Sequence, residues 1–326
     1  MQSGEFRSRL TTAIELAAWT TVAVIGVITL TQALGWAITP LVVVAQSLTP
    51  YLGVVVVVVA LVALWTRRLL LVTIAAAIGF GIVVLGAPLA FPGEQPDPID
   101  GAVGLEVASM NLLFSNDRIG DVAEQMDQLT ADVIVFTEYT AQHQEVLLAS
   151  PAAERYPHRT DRAGPRGEGV AIWSTLPVEV AEYPDTDSTS IDVTVSGPDG
   201  AIRVIAVHFP TPLDDFASWS HDLRAAAEIG RSATGPTLLI GDLNASYWHP
   251  DFRRVLDAGF VAAHTAAGAG FSTSWPTTWP IPPFVRLDHA LSAGGLLATD
   301  VEDFDVAGSD HLGMIVTVAP TRPATP

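Results

Sequence analysis

The sequence predicts an α/β sandwich with at least one partly antiparallel sheet, preceded by three apolar helices. Three observations predict it. Residues 1–91 contain three long apolar runs that no charge interrupts. From Leu105 onward, short apolar runs with polar ends alternate with helical patterns such as Ile119–Leu129 and Trp219–Ile229. Two of the short runs flank Gly197-Pro198-Asp199-Gly200, a hairpin signal that calls for antiparallel pairing. Hairpins mixed with helix-separated strands argue for this class.

The three apolar runs are roughly 16–38, 41–64 and 69–91. Each approaches or exceeds the roughly 20 residues that cross a hydrocarbon core. A buried helical hairpin of a soluble domain fits less well, because no charge falls within any run and Val54–Val59 is uniformly β-branched. A cleaved signal peptide also fits poorly, since further spans follow and no small-x-small site stands out. Arg7 and Arg9 precede the first run, and Arg67-Arg68 lies between the second and third. Positive residues stay cytoplasmic. The N-terminus and the Arg67-Arg68 turn are therefore expected inside, and everything after about residue 92 outside. Pro92-Gly93-Glu94-Gln95-Pro96-Asp97-Pro98 reads as a short, stiff linker. The expected organisation is a transmembrane anchor at 1–91, a linker at 92–104 and a catalytic domain at 105–326.

Composition supports the division. Residues 92–326 carry 12 Arg against 33 Asp or Glu, a net charge of −21, whereas residues 1–91 are at +2. The chain has no Lys and no Cys. Disulfides, thiolate metal sites and a Cys nucleophile are thereby excluded, although cysteine usage does not fix the compartment.

The expected strands follow in order. Leu105–Met110 leads into Asn111, and Ala131–Thr137 leads into Glu138. Gly169–Ser174 follows a loop rich in Arg and Gly. Ile191–Val195 and Ile202–Val207 are the hairpin pair, and the second leads into His208. Thr237–Ile240 leads into Gly241-Asp242-Leu243-Asn244. Arg286–Ser292 contains Asp288 and His289, and Ser309-Asp310-His311 precedes Met314–Val318. Each polar residue alone has a plain explanation as a turn former, a helix N-terminal acid or a half-buried histidine. Their conjunction is more informative. Asp242 and Asn244 are two positions apart, so both side chains leave the strand on one face. Six strand ends carry the acids, amides and imidazoles that metal-assisted phosphoester hydrolysis uses.

These motifs resemble the endonuclease/exonuclease/phosphatase superfamily, whose members include deoxyribonucleases, abasic-site exonucleases, neutral sphingomyelinases and inositol polyphosphate 5-phosphatases. The resemblance runs from about Leu105 to Val318 and rests on Ala108–Asn111, Asp132–Glu138, Gly169–Ser174, Val207-His208, Gly241–Asn244, Leu287–His289 and Ser309–His311. It implies a four-layer α/β sandwich, two mixed β-sheets flanked by helices, with the active site at one end of the sheets. It implies Mg²⁺, with Mn²⁺ the alternative, held by Asn111 and Glu138 with Asp310 nearby; an all-oxygen set suits a hard ion. It implies catalytic roles for His208, Asp242, Asn244, Asp288 and His311. His311 would be the general base or the group that stabilises the phosphate, and Asp288 would orient its imidazole. Asp242 and Asn244 would align the attacking water and bind a phosphate oxygen. His208 would protonate the leaving oxygen or grip the phosphate, with Asp161 or Glu168 as its carboxylate partner. The second acid usual near the first Asn is missing, since Asn111-Leu112-Leu113 stands there; a two-metal site is therefore in doubt.

The superfamily does not fix the substrate. A domain at −21 without a basic run is a poor match to a long polyanion, so nucleic acid is the lesser expectation. Arg155, Arg159, Arg162 and Arg166 do cluster, as a phosphate grip or as a solvated loop. The segment 271–284, with Trp275, Trp279 and Phe284, reads as a stiff loop with an amphipathic edge. It either meets a lipid chain or covers the sandwich edge. The layout of three spans and an outward domain is similar to membrane proteins linked to teicoplanin-type resistance in actinobacteria. The expected activity is that of a phosphoester or pyrophosphate hydrolase, and the expected substrate is a membrane lipid or lipid-linked phosphate or pyrophosphate of the cell envelope. The alternatives are a surface nuclease and a non-catalytic membrane binding protein.

Overall fold

The computed structural model describes residues 2–181 and 184–322. The chain divides into two units, residues 1–87 with 248–250, and residues 88–247 with 251–326.

The first unit is helical: α1 (Gln2–Ala33), α2 (Pro40–Ser47), α3 (Thr49–Trp65) and α4 (Leu69–Ala90). Two segments, Thr11–Ala33 and Leu69–Ala90, are long and apolar enough to cross a membrane. The expected middle span is not one helix. It is α2 and α3, bent by 70° at a short break. Pro50 is the reason. Its ring clashes with the carbonyl of Gln46, four residues back, and it supplies no N–H. The freed Gln46 O accepts instead from Thr49 Oγ1 at 2.6 Å. Of the three expected transmembrane helices, two qualify as single helices, and the count reaches three where the bent α2–α3 pair crosses as one span.

The second unit continues with β1 (Leu105–Asn111), α5 (Ile119–Gln128), β2 (Val133–Thr137), α6 (Ala141–Leu148), α7 (Ala152–Arg155), β3 (His158–Arg162), β4 (Val170–Ser174), β5 (Val178–Val180), β6 (Ser190–Gly197) and β7 (Gly200–His208). Then come α8 (Phe216–Ser232), β8 (Thr237–Asp242), α9 (Pro250–Asp257), β9 (Val261–Ala262), α10 (Ala263–Ala266), β10 (Asp288–Ala293), β11 (Leu296–Asp305) and β12 (Leu312–Pro320). One sheet runs β11-β12-β1-β2-β4-β3 and the other β5-β6-β7-β8-β10-β9. Both are mixed. The β1–β2 and β7–β8 pairs are parallel, and the remaining pairs are antiparallel.

Period-2 alternation explains the layering. Val107, Val133 and Ile172 on one sheet and Val193, Val204, Leu238 and Ile240 on the other form one core between the sheets. The alternate residues Ala108, Met110, Ile134 and Phe136 face outward under α5, α6 and α7, against Val122, Met126 and Leu147. Each fully buried aliphatic side chain of this kind contributes about 1.5–3 kcal/mol. On α8, Trp219, Leu223, Ala226 and Ala227 make the buried face. The fold is α/β, two mixed sheets flanked by helices. The segment after α4 is tied to this unit: Ile99 N donates to Pro320 O at 2.9 Å and Gly104 N to Asp199 Oδ2 at 2.8 Å.

Candidate active site

Register builds the site. In the parallel β7–β8 pair His208 lies opposite Asp242, and in the antiparallel β8–β10 pair Asp288 lies opposite Asp242. In the other sheet Asn111 at the end of β1 lies opposite Thr137, the residue before Glu138. Gly241 makes the β7–β8 approach feasible. Its φ is +141°, and a Cβ there would lie 2.1 Å from Val207 O.

Asp242 is the point of convergence and is almost fully buried. Its Oδ2 accepts from Asn111 Nδ2 at 3.0 Å, and its Oδ1 accepts from Asn244 N at 2.8 Å. His208 Nε2 and His311 Nε2 approach Oδ2 at 3.9 and 3.8 Å. These distances are too long for hydrogen bonds, so the three groups face one another across a narrow gap. Asn111 Nδ2 also donates to Glu138 Oε1 at 3.1 Å, and Phe114 N donates to Glu138 Oε2 at 2.8 Å. His311 Nδ1 donates to Asp288 Oδ2 at 2.8 Å. Asn244 Nδ2 donates to Phe209 O at 2.9 Å, which fixes its amide.

The electrostatics follow from burial and from this spacing. Burial raises Asp242 to about 6; Asp288 adds to the rise, and the two imidazoles oppose it. Burial alone would lower His311, but Asp288 and Asp242 raise it to about 10. Burial would likewise raise Asp288, and the His311 charge and hydrogen bond bring it below the usual carboxylate value. In neutral solution the site thus holds an imidazolium between two carboxylates.

The donor set suits a cation. The ligand atoms of Asp242, Asp288 and His311 lie within 4.8 Å of one another, but a protonated His311 has no lone pair to give, so the donors left for a cation are Glu138, Asp310 and Asn111. Asp310 Oδ2 accepts from Trp275 Nε1 at 3.0 Å, while its buried Oδ1 has no hydrogen-bond partner among the described residues. A buried carboxylate oxygen left unsatisfied is costly, and a metal ion is a natural partner for it. Asn111 offers its NH₂ to both acids and its Oδ1 to Leu113 N at 2.9 Å. For Asn111 to ligate through oxygen, its amide must turn over.

Two expected partners differ. His208 Nδ1 donates to the backbone carbonyl of Gly167 at 2.7 Å, not to Asp161 or Glu168. Asp161 is engaged by Trp173 Nε1 at 2.9 Å. The four arginines also do not share one loop. Arg155 ends α7, Arg159 and Arg162 are on β3, and Arg166 sits in the turn Pro165–Gly167. Arg159 stacks over Trp173, 4.6 Å from its ring centroid.

Other supporting residues carried little signal in the sequence. Ser274 Oγ donates to Asp288 Oδ2 at 2.6 Å and accepts from Leu287 N at 3.0 Å. Ser309 Oγ donates to Asn111 O at 2.7 Å and accepts from His311 N at 3.1 Å, which ties the end of β1 to the loop before β12 in the same sheet. His289 points away from the site. It donates to Ala245 O at 2.8 Å and packs on Phe252, and burial drives its pKa down to about 3. Trp275, Trp279 and Phe284 form an aromatic wall with centroids 5.6–6.1 Å apart. Trp275 lies 6.4 Å from the His311 ring, and Trp279 is 52% exposed.

Comparison with known proteins agrees with this geometry. The model of the Endonuclease/Exonuclease/phosphatase family matches residues 108–311, well over half of the chain. No curated protein matches the sequence. Among solved structures, an AP endonuclease from Archaeoglobus fulgidus is similar at 17% identity and a TM-score of 0.53, over 65% of this chain and 98% of that one. TDP2 from D. rerio, complexed with a single-strand DNA product, is similar at 18% identity and 0.54, over 66% and 99%. The 3′ phosphatase NExo from Neisseria, bound to a product DNA hairpin, is similar at 20% identity and 0.50, over 65% and 98%. At these identities the likeness is one of fold.

Proposed function

The chain belongs to the Endonuclease/Exonuclease/phosphatase family, and from that premise we propose that it is a membrane-anchored, extracytoplasmic, divalent-metal-dependent phosphoester hydrolase. The observation that carries the reading is the convergence of Asn111, His208, Asp288 and His311 on one buried carboxylate, Asp242.

Glu138 and Asp310, with Asn111 once its amide is turned, would hold Mg²⁺ or Mn²⁺. When bound, the ion supplies positive charge to a phosphate oxygen. The chain's own groups do the rest. Ionised Asp242, with Asn244 beside it, takes a proton from water as the water oxygen attacks phosphorus. His311, charged by its two carboxylate neighbours, donates to a phosphate oxygen as negative charge builds there. That charge favours the phosphate-stabilising role over the general-base role. Asp288 keeps the ring charged and oriented. His208 has its Nδ1 committed to Gly167 O, so its Nε2 faces the gap and delivers a proton to the leaving oxygen.

A lipid-linked phosphate of the cell envelope is the substrate we favour. The net charge of −21 over residues 92–326 opposes a long polyanion. The aromatic wall beside His311 gives a hydrocarbon chain a surface to pack on. The two apolar helices anchor the chain at a bilayer, where such a substrate is concentrated. With α2 and α3 crossing together as a third span, the arginines at the start of α1 and between α3 and α4 would face the cytoplasm and the catalytic unit would lie outside. The rival reading is a tethered nuclease, favoured by the two neighbours solved with DNA. The test uses full-length protein in detergent with Mg²⁺ and then EDTA. Phosphate release from a polyprenyl phosphate or diphosphate, without plasmid cleavage, supports the lipid reading. Plasmid cleavage alone sinks it.

A further inference from the structure

The catalytic scheme leaves Arg166 over. Arg166 sits at the centre of the turn Pro165–Gly167, and the turn is pinned on both sides. Gly164 N donates to Tyr139 O and Tyr139 N to Gly169 O, both at 3.0 Å. Glycines make that approach possible. A Cβ on Gly169 would lie 1.8 Å from Tyr139 O, and one on Gly167 would meet Glu138 Oε2 at 3.3 Å. The same Gly167 accepts from His208 through its carbonyl. Arg166 is therefore one residue from a peptide that touches both Glu138 and His208.

Its backbone is left-handed, at φ 47°. Non-glycine residues adopt that region at a cost, and they concentrate at functional sites. Among the described residues of this unit, the other non-glycine residues with positive φ are Leu113, Glu138 and Asn244. Glu138 and Asn244 belong to the site, and Leu113 donates to Asn111.

Charge supplies the second argument. Every other arginine of this unit donates to a carboxylate or to a backbone carbonyl. Arg166 is exposed and makes no hydrogen bond or ion pair among the described residues. In so acidic a unit, an unpaired guanidinium on the turn that brings Gly167 to Glu138 and His208 is available to an anion. Its planar fork matches two phosphate oxygens.

We infer that Arg166 and its pinned turn form a subsite for a second phosphoryl group, so that the substrate is a diphosphate monoester. This rests on the hydrolase reading above and narrows it. Water oxygen bonds to one phosphorus, and the bond from that phosphorus to the bridging oxygen breaks. The electron pair stays on the phosphate at Arg166, next to His208, which protonates it. The proton lost by water passes to Asp242, and the products are a phosphate monoester and inorganic phosphate.

The experiment compares full-length wild type, Arg166→Ala, Arg166→Lys and the control Arg155→Ala in detergent with Mg²⁺. The substrates are farnesyl diphosphate, ADP and bis(p-nitrophenyl) phosphate. For Arg166→Ala the ratio of kcat/KM on the diphosphates to that on the diester is expected to fall about tenfold or more, chiefly through KM. Arg166→Lys recovers part of it, and Arg155→Ala leaves the ratio in place. Equilibrium dialysis with methylenediphosphonate gives a Kd weakened to a similar extent in Arg166→Ala. A preference for farnesyl diphosphate points to a lipid source of the diphosphate, and a preference for ADP to a nucleotide source; either supports the subsite. An unchanged ratio and Kd in Arg166→Ala overturn it. So does a wild type that cleaves the diester but neither diphosphate, and the hydrolase reading then survives. A wild type that cleaves none of the three removes both.

Discussion

Asp242 and His311 set each other's charge. The carboxylate is pushed up to about 6 by burial and by Asp288, and the imidazole is held at about 10 by the carboxylates it faces. The scheme needs Asp242 ionised and both His311 and His208 protonated. Activity should therefore rise as pH increases through about 6, or lower where a bound cation stabilises the carboxylate, and fall as either imidazolium loses its proton, with the His311 limb at about 10. Asp288→Asn removes the largest influence holding His311 up, so the His311 limb should move to lower pH by more than a unit. A kcat–pH profile of wild type and variant at saturating Mg²⁺ checks this, and an unmoved His311 limb contradicts the assignment. At this scale the sequence was informative for groups that end strands, because acids and imidazoles stand out against apolar runs. It was silent on Ser274, Ser309 and the Gly167 carbonyl. Their partners lie 14, 198 and 41 residues away, and neither a serine nor a backbone carbonyl announces such a bond.

Among elements, the β7–β8 pair matters most, because its register sets His208 opposite Asp242. Gly241 permits it. Gly241→Ala puts a methyl group 2.1 Å from Val207 O at φ +141°. The strain should cost about 2 kcal/mol and lower Tm by about 4–8 °C, with kcat falling as the register opens. A thermal melt paired with a rate measurement tests it; an unaltered Tm would mean that the two strands do not depend on this glycine. The eight strands expected from sequence all appear. The four not anticipated, β3, β5, β9 and β11, are the four sheet edges. Edge strands face solvent and carry charge, as in the His-Arg-Thr-Asp-Arg of β3 and the acids of β11. Apolar patterning cannot reveal them. The middle apolar run fails for the opposite reason. The average hydropathy over 41–64 is high, and it masks Gln46-Ser47-Leu48-Thr49-Pro50, where the helix breaks.

For the whole molecule, charge and hydropathy divide the labour. The apolar helices carry almost no charge, and the second unit carries nearly all the acid. That contrast was legible from composition, and so was the family, because its motifs are spread across both sheets in a fixed order. The convergence itself is a property of the fold, since Asn111 and Asp242 are 131 residues apart and meet at 3.0 Å. The account stands on that meeting point being a hydrolytic centre. Its most direct test is Mg²⁺-dependent hydrolysis of bis(p-nitrophenyl) phosphate by full-length protein, wild type against Asp242→Ala. The wild type should turn over with Mg²⁺ and stop with EDTA, and the variant should lose about 10²–10³-fold in kcat. Equal rates for the two proteins, or wild-type turnover that persists in EDTA, would contradict the account.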